Sequence, residues 1–189
     1  IGARVGTASV RRRALLLHHR PDLDIGLLRG NVNTRIAALQ AGQFDAIILA
    51  VAGLRRLGLE VAYTPLDPAV MPPSAGQGAL AIQTRDSDDP RSLAVIAASA
   101  GLGCATTTAE VTAERALLGR LDGSCHTPIA ASATCDENGR LHLDGMILSE
   151  DGSQACRDRI DGASSDATQL GETLADQLLD AAGGRHFLA

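Results

Sequence analysis

The chain has 189 residues, of which 45% are hydrophobic, 21% charged and 2% aromatic, and its net charge is −5 at pH 7. This composition is ordinary for a globular protein of one large or two small domains, and it excludes collagen-like, disordered and disulfide-scaffold classes. No apolar run reaches the roughly 18 residues that a membrane helix needs, and the chain opens without a basic and apolar leader, so we expect neither a membrane partner nor export.

The first 65 residues alternate strand and helix patterns. A short strand at 4–7 precedes a helix that Ser9 caps and Pro21 ends, and a strand at 23–28 precedes a helix over 32–41 that Asn31 caps. The apolar run 45–50 predicts a strand buried on both faces, followed by a short helix over 51–57. A further strand is expected at 61–64. Strands alternating with helices predict an α/β fold with a parallel, doubly wound sheet.

The pattern changes at residues 65–78, which contain four prolines and two glycines and predict a connection or hinge. A strand at 79–84 and two helices, near 90–99 and 106–120, come next. Three strands joined by hairpin turns, at 128–135, 140–148 and 154–160, precede a last helix over 166–182. This part predicts an α+β unit with a three-stranded antiparallel sheet. We expect a first domain at 1–75, a hinge and strand at 76–90, and a second domain at 91–189.

Arginines are concentrated in the first third of the chain. All 17 basic residues are arginine, and residues 1–60 carry a local charge of +5 whereas residues 61–189 carry −10. Three successive strands are followed by arginines: Arg11 and Arg12, Arg29 and Arg35, Arg55 and Arg56. Because the carboxyl ends of parallel strands meet at one edge, these arginines predict an anion-binding crevice for carboxylates or phosphates. Nucleic acid is a weaker alternative, since the rest of the chain is acidic and only three aromatic residues are available for stacking.

The four cysteines, at 104, 125, 135 and 156, lack the spacing of a zinc site or a disulfide framework. They predict free thiols in a reducing, cytoplasmic compartment. Cys125 stands on a glycine-containing loop directly after a helix, which is typical of an accessible thiol. A Cys–His hydrolase built on Cys125 and His126 is an alternative, although adjacent residues seldom face each other and no third orienting group is evident.

Five motifs in one order resemble those of the porphobilinogen deaminase (hydroxymethylbilane synthase) family. The most specific is Glu-Arg-Ala-Leu at 114–117 with Leu-Asp-Gly-Ser-Cys-His-Thr-Pro-Ile-Ala at 121–130, which resembles the cofactor-attachment signature. The others are Gly-Thr-Ala-Ser-Val-Arg-Arg at 6–12, Arg-Gly-Asn-Val-Asn-Thr-Arg at 29–35, the run 45–58, and Gly-Gln-Gly-Ala-Leu at 76–80. Ala8 stands where the family usually has serine, and Ser124 where it commonly has glycine.

The resemblance implies a transferase of tetrapyrrole (haem) biosynthesis that condenses four porphobilinogen molecules into hydroxymethylbilane and releases ammonia. It implies a three-domain monomer of which this chain carries the second and third domains, the former resembling half of a periplasmic binding protein. The first domain, with the aspartate that acts as general acid, is expected upstream of Ile1. An anion-binding module without chemistry, similar to half of a solute-binding protein, is the alternative.

The same resemblance implies a covalent dipyrromethane cofactor and no metal. Cys125 is expected to hold the cofactor through a thioether. The residues expected to bind the carboxylates of cofactor and substrate are Thr7, Ser9, Arg11, Arg12, Arg29, Arg35 and Arg56. Arg56 is preferred to Arg55 by its place in the family motif.

Overall fold

The computed structural model describes residues 1–124 and 126–188. The strands β1 (Arg4–Gly6), β2 (Asp24–Gly26) and β3 (Ala46–Ile47) form a parallel sheet in the order β2-β1-β3. They are connected or followed by α1 (Val10–His19), α2 (Val32–Gln40) and α3 (Val51–Arg56). The two predicted caps are confirmed, because the side chain of Ser9 accepts from the Arg12 amide and that of Asn31 from the Thr34 amide. The parallel α/β arrangement of the first unit is therefore confirmed.

Three predicted strands are corrected by the structure. The run 45–50 forms only the two-residue β3, in which Ala46 is exposed and Ile47 half-buried, because β3 lies at an edge of a small sheet. Residues 61–64 and 79–84 form no strand, and the side chains of Leu80 and Ile82 are 83% and 58% exposed. A strand needs a neighbour for its backbone N–H and C=O groups, and within the described ranges no strand pairs with either segment.

The second unit is the α+β arrangement that the sequence predicts. The helices α4 (Pro90–Ala100) and α5 (Ala105–Arg120) precede the antiparallel strands β4 (Ile129–Cys135), β5 (Arg140–Leu148) and β6 (Ala155–Ala163), and α6 (Ala167–Ala181) follows. The pair α5 and α6 covers one face of this sheet and buries a core that includes Leu117, Leu143 and Leu178. Each fully buried leucine contributes about 1.5–3 kcal/mol, so this core is the main source of stability for the unit.

The opposite face of the antiparallel sheet is covered by parts of the chain that come before it. Helix α1 packs Ala14 and Leu15 against Ala130, Met146 and Leu148. Residues 68–77, which we call the strap, run beside this helix. The strap is bonded to the sheet, since the Ala69 carbonyl accepts from Arg157 (2.7 Å) and the Pro73 carbonyl accepts from the Ala131 amide (3.0 Å). The first unit and the strap therefore share an interface with the second unit.

Glu114 on α5 connects three elements. Its two carboxylate oxygens accept from the amide of Gly76 in the strap (2.6 Å) and from the amide of Ala133 on β4 (2.8 Å). One turn earlier, Glu110 accepts from the Cys135 amide (2.9 Å). The Glu114 side chain is only 8% exposed, and this burial raises its pKa above the ordinary value of 4.5.

We expect Glu114→Gln to lower the free energy of unfolding by about 1–3 kcal/mol, because an amide accepts through one oxygen only and leaves a buried N–H unpaired.

The raised pKa means that the folded protein binds the Glu114 proton more tightly than the unfolded chain. The stability that this proton supplies is present below pH 4.5 and is lost as the pH rises through the raised pKa. Urea unfolding at pH 4.5 and pH 7.5 measures the free energies of unfolding of the unsubstituted protein and of Glu114→Gln. The difference between the two should be smaller at pH 7.5 than at pH 4.5.

The matched control for this prediction is Glu110→Gln, on the same helix. Glu110 accepts one amide, which a glutamine oxygen can also accept, so we expect little change in stability. Equal losses of stability in the two variants would contradict the prediction. So would a stability difference between the unsubstituted protein and Glu114→Gln that grows as the pH rises.

Among the described residues, no single helix is long and apolar enough to cross a membrane. The helices α4 and α5 meet that length and composition test only when taken together, and they are bent by 99° at their junction.

Candidate functional site

A cleft of about 510 Å³ lies where the parallel sheet, the strap and the second unit meet. This volume is within the range of roughly 300–1,000 Å³ that is usual for small-molecule sites. The parallel sheet and its helices contribute Thr7, Ala8, Ser9, Arg11, Arg12 and Arg35, the strap contributes Ser74 and Ala75, and the second unit contributes Leu118, Ser124, Thr127 and Ile129. The loop of residues 124–127, which we call the cysteine loop, contributes Ser124 and Thr127 to the same space that the arginines line.

The N-terminus of α1 forms one end of the cleft. The Thr7 hydroxyl accepts from the Ser9 amide (3.2 Å), and the Ser9 hydroxyl accepts from the Arg12 amide (3.3 Å), which fixes the start of the helix. The positive end of the helix dipole favours a bound anion here. Arg12 donates from its guanidinium to the Ile48 carbonyl just after β3 (3.3 Å), and so spans the strand ends at the point where the strand order reverses.

The charged side chains among the described residues that line this cleft are all arginines. Burial, and then the charge of Arg35, lower the pKa of the Arg12 guanidinium. Arg35 is held in place by its bond to the Gly30 carbonyl (2.8 Å). None of the described residues that line the cleft is acidic. An anion with several carboxylates would relieve the repulsion between these guanidinium groups and accept hydrogen bonds from them.

Arg11 has a second task that its sequence position did not indicate. Its side chain is 7% exposed and donates to the Pro72 carbonyl and to Oε1 of Gln77 (3.3 Å). Burial, followed by the charge of Arg12, lowers the pKa of Arg11 to about 10. The Gln77 oxygen also accepts from the Ser74 amide (3.3 Å). Arg11 thus lines the cleft and holds the strap that forms one of its walls.

The structure brings together five of the eight residues predicted for the site: Thr7, Ser9, Arg11, Arg12 and Arg35. Arg29 and Arg56 are exposed and do not line the cleft. Cys125, the predicted attachment residue, lies outside the described residues. Its neighbours in sequence, Ser124 and His126, are exposed.

The loop around Cys125 is held by Ser124 and Thr127. The Thr127 hydroxyl accepts from the Ser124 amide (3.2 Å), and the Ser124 hydroxyl accepts from the His126 amide (3.2 Å). The hydroxyl residues in the loop are the sequence signal for such a turn, although the family motif does not by itself indicate this role. The strap residues Ser74 and Ala75 were missed as well, and only their place in a proline-rich run could have indicated them.

A smaller cavity of about 190 Å³ lies on the outer face of the antiparallel sheet, under the strap. Its charged groups are already paired, since Arg157 binds Asp144 (2.9 Å) and His142 contacts Asp161 (2.5 Å). Within residues 1–124 and 126–188, no group of three or more histidine, cysteine or acidic side chains is placed to hold a metal ion. The larger cleft is the better candidate for a ligand site.

Comparison with known proteins agrees with the motifs. Residues 1–94 match the family model described as porphobilinogen deaminase, dipyromethane cofactor binding domain, and residues 108–180 match the one described as porphobilinogen deaminase, C-terminal domain. The chain belongs to the porphobilinogen deaminase family. The two family models follow each other in the order that the sequence motifs indicate.

Individual porphobilinogen deaminases that resemble this chain are longer than it is. The one from Trichlorobacter lovleyi is 50% identical over 188 residues, which cover 99% of this chain and 58% of that protein. The one from Nitrobacter hamburgensis is 45% identical, covering 98% and 58%. The one from Roseiflexus castenholzii is 47% identical, covering 100% and 60%. The chain therefore spans about 60% of the length of these porphobilinogen deaminases.

Proposed function

We propose that this chain supplies the carboxylate-binding cleft and the cofactor-attachment loop of a hydroxymethylbilane synthase. The whole enzyme would be a transferase that joins four porphobilinogen molecules into hydroxymethylbilane and releases ammonia, for haem and other tetrapyrroles. The observation that carries the proposal is the cleft that Arg12 and Arg35 share with Ser124 and Thr127, on either side of Cys125 in sequence. We further propose a cytoplasmic monomer, without a nucleic-acid or membrane partner.

The residues of the cleft fit a dipyrromethane cofactor. Each of its two pyrrole rings carries an acetate and a propionate, so the group is a polyanion that suits guanidinium forks and a helix N-terminus. Cys125 would hold it through a thioether, with Thr7 and Ser9 beside its carboxylates. When bound, the cofactor supplies the pyrrole carbon onto which the product chain is built.

Within this proposal, the side chains of this chain bind the cofactor and the substrate and orient them. Arg12 and Arg35 hold carboxylates, while Leu118 and Ile129 give the cleft an apolar wall that limits access of water. Fixed positive charge in such a site stabilises anionic groups at no cost of reorganisation during the reaction. Arg11, which lines the cleft, is proposed as a further carboxylate ligand. Arg29 and Arg56 lie outside its lining and are proposed as ligands on their place in the family motifs alone. The acid that protonates the leaving amine is proposed to lie outside residues 1–189.

We also propose a division of the chain that follows the family. Residues 1–75 would form the second domain, similar to half of a periplasmic binding protein. Residues 76–90 would be a hinge and a strand that returns to the first domain, and residues 91–189 would form the third domain with Cys125.

Mass spectrometry of the full-length protein tests the proposed function. Intact mass followed by peptide mapping should place the cofactor on Cys125 and leave Cys104, Cys135 and Cys156 unmodified. Cofactor on another cysteine would overturn the attachment site. A protein that binds dicarboxylates, carries no adduct and forms no product would be an anion-binding module instead.

Replacing Arg12 by leucine in the full-length protein should weaken binding of porphobilinogen by roughly tenfold to a hundredfold, the loss of a charge-assisted bond of about 1.5–3 kcal/mol. Arg12→Lys should recover only part of the loss, because an ammonium lacks the planar fork. The KM for porphobilinogen measures the effect.

Arg140→Leu is the control for this charge change. Arg140 is exposed at the start of β5, away from the cleft, and should leave KM unchanged. Arg185 is less suitable because its guanidinium donates to the Arg120 carbonyl (2.9 Å). Equal losses for Arg12→Leu and Arg140→Leu would indicate a general charge effect instead of a site.

A further inference from the structure

Helix α1 links the two units through its middle. The helix follows a strand of the parallel sheet, yet Ala14 and Leu15 have no exposed surface and pack on the antiparallel sheet against Met146 and Leu148. Ala130, the second residue of β4, belongs to the same cluster. We call this contact the α1 joint.

The turn between β5 and β6 fits closely against the α1 backbone. Gly152 in that turn has a φ of +71°, and an added Cβ would lie 2.5 Å from the Ala14 carbonyl oxygen and 2.6 Å from the His18 nitrogen. Both atoms belong to the helix backbone, so a rotamer change cannot make room. His18 donates from Nδ1 to the Gly152 carbonyl (3.0 Å), which ties the end of the helix to the same turn.

The two elements that meet at the α1 joint, α1 and β4, each continue to residues that line the cleft. Helix α1 carries Arg12 in its first turn and the joint residues Ala14 and Leu15 in its middle. Strand β4 enters the joint at Ala130, three residues after Thr127 in the cysteine loop. A shift of α1 on the sheet would therefore change the distance between Arg12 and the loop.

We propose that Gly152 is a positioning residue for the cleft, because its lack of a side chain lets the α1 backbone approach the sheet and sets the spacing between Arg12 and residues 124–127. This inference rests on the proposed function for its kinetic consequence. Small displacements of binding groups have large kinetic effects, so a residue without contact to the cleft controls binding there.

The test compares Gly152→Ala with Gly139→Ala in the full-length protein. Gly139 is a matched control, since it lies in the other hairpin turn with a φ of +74°, and the nearest atom to an added Cβ is the Ser164 hydroxyl at 3.8 Å. Both variants carry the same backbone strain, but only Gly152→Ala pushes on α1. We expect Gly152→Ala to raise KM for porphobilinogen about tenfold or more and to speed hydrogen exchange of the α1 amides, and Gly139→Ala to change neither by more than about twofold.

A second pair keeps the test decisive if Gly152→Ala fails to fold. His18→Ala removes the bond to Gly152 without adding an atom. Its control, His142→Ala, removes the contact of another histidine with Asp161 in the antiparallel sheet (2.5 Å), and His142 does not line the cleft. KM should rise for His18→Ala only. Faster exchange in α1 with an unchanged KM, or equal effects in variant and control, would overturn the positioning role. If the unsubstituted full-length protein forms no product, the proposed function is overturned but the α1 joint is not. The hydrogen exchange of the α1 amides in the variants then tests the joint by itself.

Discussion

Residues 1–189 alone are expected to make no detectable hydroxymethylbilane from porphobilinogen, even with Cys125 intact. No acidic residue lines the described part of the cleft, and Asp22, Asp24 and Asp45 lie at the amino ends of β2 and β3. Asp45, for example, accepts from the Arg4 amide (2.7 Å), at the edge of the sheet opposite the cleft. General acid catalysis contributes roughly 10²–10⁴-fold, and the remaining part of the protein is also proposed to close the cleft.

The assay compares product formation by the 189-residue chain and by the full-length protein. Weak binding of dicarboxylates should survive in the shorter chain, because Arg12 and Arg35 are present. Appreciable turnover by the shorter chain would place the acid within it, and Asp45→Asn and Asp122→Asn would then identify which residue acts.

Cys125→Ser should abolish turnover of the full-length protein. A serine hydroxyl is a much weaker nucleophile than a thiolate at neutral pH, so the cofactor would not become attached. Stability should change little, because the two side chains are similar in size. Turnover, intact mass and thermal unfolding of the variant give the three readouts.

Cys104→Ser is the matched control for this substitution. Cys104 is an exposed residue at the N-cap of α5, where serine is a favourable residue, so the variant should fold, carry the cofactor and turn over normally. Full activity of Cys125→Ser, or an equal loss in Cys104→Ser, would contradict the attachment role.

Local signals account for the parts of the fold that the sequence predicted correctly. Ser9 and Asn31 cap helices through bonds to amides three residues away, and Gly139 and Gly152 adopt the positive φ that their hairpin turns require. The strand at 45–50 was predicted at greater length than β3 has, and the strand predicted at 79–84 does not form, although both apolar runs are strand-like. Whether such a run forms a strand depends on a neighbour distant in sequence, and periodicity carries no information about that neighbour.

The site shows the same division between local and distant information. Arg12 and Arg35 were predictable because parallel strands end at one edge. The contact of Arg11 with Pro72 joins residues 61 positions apart, and the bond of Glu114 to Gly76 joins residues 38 apart. No spacing rule connects such pairs, so the strap could be recognised as a proline-rich connection but not as a wall of the cleft.

The amides of β4 that point away from β5 have a consequence for the behaviour of the second unit in isolation. β4 is an edge strand, and its outward amides at Ala131, Ala133 and Cys135 are occupied by the Pro73 carbonyl and by the carboxylates of Glu114 and Glu110. These acceptors deny the edge to a strand from another molecule, which is the contact that starts aggregation of sheet proteins. Residues 91–189 expressed alone would retain both glutamates but lose Pro73. The Ala131 amide would then be open at the centre of the edge, so the strap protects the second unit from self-association as well as shaping the cleft.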